Sequence, residues 1–263
     1  MPILIEKHGR VATLTLNAPE TRNALDEEMA AAIVSGLVEL DNDPGIGCVI
    51  VTGAGKSFSS GGNVKDMLAR QGLLGGEPDQ IRTRLAATIQ QIPMTFERMG
   101  VPVIAAVNGH AYGAGCDMAV MCDIRIAGAS AVFCESFIRL GIVSGDGGGW
   151  LLPRAIGLSR AMEMSLTGVP VDAVTAWNWG LISRVVADDA LMDTVRALAT
   201  TIAAQAPDAS RRVKGLLRGS ATQSLAGTLA ESAEHLSELA QGDDHLEAVR
   251  AFLERRAPVF GGS

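Results

Sequence analysis

No apolar run in this chain approaches the length that spans a bilayer, so no membrane partner is expected. The start, Met1-Pro2-Ile3-Leu4-Ile5-Glu6-Lys7, lacks the basic segment and long apolar stretch of a secretory signal. Basic residues are in deficit, 22 Lys and Arg against 29 Asp and Glu, for a net charge of −7. A nucleic-acid partner, which needs a basic face, is therefore not expected. Only four cysteines are present, Cys48, Cys116, Cys122 and Cys134, and none has CxxC spacing. Buried, reduced thiols in a cytoplasmic protein follow. The four histidines, His8, His110, His235 and His245, are scattered without ligand spacing, so no metal site is expected.

Apolar residues are plentiful, 48% against 19% charged, which permits a substantial core. Glycine is plentiful too, and two segments stand out: Phe58-Ser59-Ser60-Gly61-Gly62-Asn63 and Asn108-Gly109-His110-Ala111-Tyr112-Gly113-Ala114-Gly115. Each follows an apolar run that reads as a buried strand (48–52 and 101–107) and leads toward a helical stretch. A helix start leaves N–H groups free, and two such starts aimed at one point would hold a developing oxyanion. Residues 3–6 and 11–16 alternate as a hairpin, and Asp26 precedes a helix. Residues 72–78 read as a mobile loop, and 80–99 as one long helix with an irregularity at Ile92-Pro93. Strand, glycine turn and helix recur, as expected of repeated β-β-α units in an α/β fold. Beyond Pro170 the pattern becomes helical, over 188–206, 208–217, 224–239 and 243–256, with one strand at 181–186. Two regions are therefore expected, a core over residues 1–186 and a helical region over 187–263.

In these residues the chain resembles the crotonase, or enoyl-CoA hydratase/isomerase, superfamily. The likeness includes Asn17-Ala18-Pro19, Arg22-Asn23-Ala24-Leu25, both glycine segments and Leu140-Gly141-Ile142-Val143. It continues through Leu152-Pro153-Arg154-Ala155-Ile156-Gly157, Trp179-Gly180-Leu181-Ile182 and the Phe252–Phe260 tail. The resemblance implies a spiral of β-β-α units, with the C-terminal helices used for a homotrimer or a dimer of trimers. It implies an acyl-CoA substrate, with coenzyme A arriving as part of that substrate and no permanently bound cofactor. Arg22, Ala24, Leu25 and Ser60 fall where members bind CoA, and the amides of Gly62 and Ala114 fall at the oxyanion hole. A hydratase-like lyase is the leading activity. Another crotonase reaction (isomerisation, decarboxylation, thioester hydrolysis) and acyl-CoA binding without turnover are the alternatives.

Family hydratases carry two glutamates. At the first position this chain has Asp117 and at the second Phe137, which transfers no proton. Two acids are candidates to compensate. Asp146, in Ser144-Gly145-Asp146-Gly147-Gly148, is either an active-site acid or the cap of the next helix. Glu135 is either on the same side as Phe137 in an extended segment or at the surface. Asp117 is either the acid/base or a first-turn residue stabilised by the helix dipole. Phe137 and Trp150 are either an acyl pocket or plain core. His110 reads as structural.

Overall fold

Each long apolar run is followed by a second strand of only three residues, and the two kinds of strand sort into different sheets. The computed structural model describes residues 1–261. Its strands are β1 (Ile3–His8), β2 (Val11–Leu16), β3 (Cys48–Gly53), β4 (Ser57–Ser59), β5 (Val103–Val107), β6 (His110–Tyr112), β7 (Ile124–Gly128), β8 (Val132–Cys134), β9 (Val171–Asp172) and β10 (Arg184–Val186). One sheet runs β1-β2-β3-β5-β7-β10 and the other β4-β6-β8-β9. The pairs β3/β4, β5/β6 and β7/β8 thus give one strand to each sheet. Parallel pairing carries the first sheet from β2 to β10, and the second from β4 to β8. This is a spiral of β-β-α units.

The helices are α1 (Glu27–Asn42), α2 (Val64–Leu68), α3 (Pro78–Ala87), α4 (Gln91–Arg98), α5 (Ala114–Met121), α6 (Gly148–Ile156), α7 (Leu158–Thr167), α8 (Ala173–Trp179), α9 (Leu191–Ala203), α10 (Pro207–Gly219), α11 (Leu225–Leu239) and α12 (Asp243–Glu254). Asp26 caps α1 by accepting from Met29 N at 2.8 Å. Among the described residues no helix is long and apolar enough to cross a membrane.

The first sheet is apolar on both faces, as a parallel sheet covered on both sides must be. On β3, Val49 and Val51 join the main core, whereas Cys48 and Ile50 join a second core with Ile104, Ala106 and Ile126. Helix α9 closes that second core with Leu191, Val195, Ala199 and Ala203. It therefore belongs to the body of the spiral, although it lies beyond residue 186. All four cysteines are free and buried, and burial raises the Cys48 and Cys122 thiols to about 12.

Three local expectations are corrected. The helix expected over 80–99 is two helices, broken at Thr88 rather than at Pro93. Thr88 has non-helical backbone angles, and Gln91 Nε2 takes the open carbonyl of Ala86 at 2.7 Å. Pro93 sits in the first turn of α4, where its missing N–H leaves no bond unmade. The segment read as a mobile loop contains a 3-10 turn at Gly72–Leu74. Arg84 braces it, donating to Gly72 O at 2.8 Å and Gly75 O at 2.7 Å. The short strands β4, β6, β8 and β9 have too few residues to show a periodicity.

Candidate active site

The two glycine segments are packed against each other. β4 and β6 pair in parallel, Ser57 opposite His110 and Ser59 opposite Ala111. Gly61 has φ +75°, and a Cβ there would collide with Tyr112 O and lie 3.1 Å from Ala114 N. A Cβ on Gly115 would lie 2.5 Å from Ser59 O. Both positions therefore require glycine for close backbone approach. Asn23, fully buried with φ +56°, holds the first turn from behind. Its Nδ2 reaches Ala54 O at 3.0 Å and Ser57 O at 2.9 Å, and its Oδ1 accepts from Ala18 N at 2.9 Å.

Just past these contacts, Gly62 follows the turn and Ala114 opens α5. Among the described residues neither amide has an acceptor within the chain. For Ala114 the cause is its place in the first turn of a helix. Both residues line one cavity of about 460 Å³. The remaining wall is almost wholly apolar, with Leu25, Met67, Leu73, Leu85, Ile89 and Phe137 prominent. A single carboxyl, Asp146, is on that wall.

Asp146 stands in front of two further acids. Asp117, Glu135 and Asp146 are 0%, 3% and 3% exposed. Ser144 Oγ links two of them, lying 2.8 Å from Asp117 Oδ2 and 3.1 Å from Asp146 Oδ1. Gly148 N donates to the same hydroxyl at 3.0 Å. Ser144, not Asp146, therefore serves the start of α6, and the capping alternative for Asp146 fails. Gly148 has no room for a side chain, since a Cβ would lie 2.5 Å from Asp117 Oδ2.

Burial raises all three carboxyls. For Asp117 the rise is large, with the charges of Asp146 and Glu135 adding to desolvation. Glu135 is raised by burial to about 7, held back by hydrogen bonds from Cys116 and Asp117. Asp146 is raised by burial and held back by its bonds with Asp117 and Ser144. Such a carboxyl is suited to moving protons near neutrality.

The other expected residues are placed as follows. Leu25 lines the cavity, and its N–H donates to Gly61 O at 2.8 Å. Ser60 N donates to Arg22 O at 2.9 Å, so Arg22, Ala24, Leu25 and Ser60 form one edge beside the glycine turn. Phe137 is on the cavity wall. Glu135 is neither beside it nor at the surface, because the chain turns into a 3-10 helix (Ser136–Leu140) instead of staying extended. Trp150 is not on this cavity, but it lines with Asp146 a neighbouring one of about 550 Å³. Helix α6 turns its ring outward, under Arg154, whose guanidinium carbon lies 3.8 Å from the ring centroid. His110 is exposed and meets Tyr112 edge to face, 5.4 Å between centroids. Met67 also lines the cavity, and a Cβ on Gly62 would lie 2.5 Å from its Cε. Ser144 and Gly148 were missed as site residues, their only signal being their place beside Asp146.

The β-β-α spiral and its two abutting glycine turns define a crotonase-type enzyme, a class that works on acyl-CoA thioesters. The family model described as enoyl-CoA hydratase/isomerase matches residues 6–263, and the chain belongs to that family. It is 38% identical over 260 residues to "Probable enoyl-CoA hydratase echA8" of Mycobacterium tuberculosis, covering 98% of this chain and 97% of that protein. It is 36% identical over 260 residues to 1,2-epoxyphenylacetyl-CoA isomerase of Escherichia coli, covering 99% and 98%. Among solved structures, enoyl-CoA hydratase from Bacillus anthracis superposes with a TM-score of 0.92 at 29% identity, covering all of both chains.

Proposed function

We propose that this protein is an enoyl-CoA hydratase-type lyase, adding water reversibly across the Cα=Cβ bond of a 2-enoyl-CoA thioester. One observation supports this above the others: two main-chain amides without acceptors share an apolar cavity with one carboxyl. The thioester oxygen accepts from Gly62 N–H and Ala114 N–H as enolate charge develops, each donor contributing about 3–4 kcal/mol. Asp146, ionised, takes a proton from water while the water oxygen bonds to Cβ. It then returns that proton to Cα of the enolate. Water is added overall and the carboxylate is restored. The edge of Arg22, Ala24, Leu25 and Ser60 receives the CoA portion, and the acyl group lies against Leu25, Met67, Leu85, Ile89 and Phe137. Coenzyme A enters as part of the substrate, with no resident cofactor, and the enzyme acts in the cytoplasm. The chain assembles as a homotrimer or a dimer of trimers, covering the apolar faces of α11 and α12.

Isomerisation is the second reading, favoured because only one carboxyl, Asp146, faces the cavity, and a single group suffices to move a proton between two carbons. There Asp146 would move a proton from one carbon to another without water. The test is turnover of a panel of 2-enoyl-CoA and 3-enoyl-CoA thioesters in ¹⁸O-labelled water. Label in a 3-hydroxyacyl product supports hydration, and a shifted double bond without label supports isomerisation. Asp146→Asn is expected to lower kcat by about 10²–10⁴-fold in either case. Full turnover by that variant would end the assignment of Asp146.

A further inference from the structure

Asp117 and Glu135 are not on the cavity wall, and the proposed reaction gives them no step. Their environment nevertheless has a definite proton requirement. The Ser144 hydroxyl accepts from Gly148 N–H and has one proton to give, yet carboxyl oxygens of both Asp117 and Asp146 lie within hydrogen-bond distance. One of these contacts needs a proton on the carboxyl instead. Asp117 Oδ1, Glu135 Oε1 and Asp146 Oδ2 are each buried without a donor if all three groups are ionised. An unmet buried acceptor is costly, and an unmet buried charge more so.

The surroundings offer little other relief. Helix α5 presents Cys116, whose thiol is a weak donor to Glu135, and the strand β8 ends at Cys134 next to Glu135. Cys134 acts on Tyr112 of β6, and Arg139 of the 3-10 helix acts on Cys134. The 144–148 turn presents Ser144, Asp146 and the Gly148 amide. Among the described residues no Lys, Arg or His forms an ion pair with any of the three acids; the nearby ion pairs of Asp123 belong to α10. Nor are His, Cys, Asp and Glu side chains grouped to hold a metal ion. Protons are what remains to neutralise the trio.

We propose that Glu135, Asp117 and Asp146 form a directional chain of carboxyls sharing two protons, in which Asp117 and Glu135 are positioning residues that keep the one negative charge on Asp146, facing the cavity. Glu135 donates to Asp117, and Asp117 donates to Asp146. The inference rests on Asp146 being the acid/base. During turnover Asp146 gains one proton and gives it back, so the trio alternates between one negative charge and none. The two inner protons stay in place. When Glu135 loses its proton, at a pH near 7, it becomes an acceptor and draws the Asp117 proton away from Asp146. Activity then falls.

Two readouts test this, one independent of turnover. Infrared spectra of the resting enzyme, titrated with pH, are expected to show protonated-carboxyl C=O bands at pH 6. Asp117→Asn and Glu135→Gln are each expected to lose part of that intensity. In the pH profile of kcat/KM, the wild type is expected to have an alkaline limb near pH 7 that Glu135→Gln lacks. Asp117→Asn is expected to lower kcat by up to about 10²-fold with KM unchanged. Absence of protonated-carboxyl bands in the wild type overturns the proposal even if no variant folds. So does a Glu135→Gln enzyme with the wild-type bands and pH profile. Full turnover by Asp146→Asn with the bands of the other two acids intact would instead sink the base assignment, while the protons shared by Asp117 and Glu135 remained visible.

Discussion

The spiral and the helices after it have similar sequence patterns and opposite fates. In the spiral, apolar stripes are covered: α1 buries Met29, Ile33, Leu37 and Leu40, and α9 buries Leu191 and Val195. In the tail, α11 buries nothing, and Leu225, Leu229, Leu236, Leu246, Phe252 and Leu253 face outward within one chain. Charge ties α10 to the core. Lys214 of α10, itself buried, pairs with Asp123 at 2.9 Å and donates to Val101 O at 2.8 Å. Arg218 joins Asp123 at 2.8 Å, and Arg211 reaches Asp41 at 2.9 Å. An apolar stripe thus does not by itself report that a helix is covered by its own chain.

The strongest way to break this contrast is to remove its joint. Asp123→Ala leaves Lys214 buried without its carboxylate and is expected to cost about 3–5 kcal/mol, read from the urea unfolding midpoint. A loss under 1 kcal/mol would mean that α10 is held by apolar packing after all. Within the spiral, Gly61→Ala forces a side chain into a left-handed position against Tyr112 O. We expect about 1–3 kcal/mol of destabilisation and a loss of turnover that exceeds what the stability change explains. In the tail, Leu236→Asp with Phe252→Asp is expected to leave the circular dichroism spectrum intact. Light scattering should show a smaller assembly, and an unchanged mass would show that these faces are not used between copies.

The smallest expected effect concerns pH. Glu135 is raised to about 7 in the folded chain, so below that pH the folded state holds a proton that the unfolded chain releases above about 4.3. Stability from this group is therefore greatest at low pH and falls as pH rises through that window. Glu135→Gln escapes the loss. Its Tm is expected to exceed that of the wild type at pH 8 and to converge with it at pH 5. A constant difference at both would place the Glu135 proton elsewhere.

Much of this was legible in the sequence for identifiable reasons. The apolar runs at 48–52 and 101–107 announced the first sheet, and the glycine pairs announced the turns that carry Gly62 and Ala114. The second sheet was not legible, because three-residue strands have no measurable period. The acids were legible as residues but not as an arrangement. Asp117, Glu135 and Asp146 lie on a helix, a strand end and a loop, and nothing local fixes their distance. The 3-10 turn after Glu135 reversed its facing relative to Phe137. The outward turn of Trp150 depends on where α6 docks, a tertiary fact.

Gly148 also restricts how this protein can change. Its bare Cα is pressed against the Asp117 carboxyl, so a side chain one carbon longer at position 117 would have to find its volume elsewhere. Installing the family's usual pair of glutamates is thus not a matter of two independent replacements. The first would crowd the hydroxyl of Ser144 and the start of α6, and the second would take Phe137 from the cavity wall. Residues 117, 137, 144 and 148 constitute an interlocked set, and any route between the two arrangements must alter them in concert.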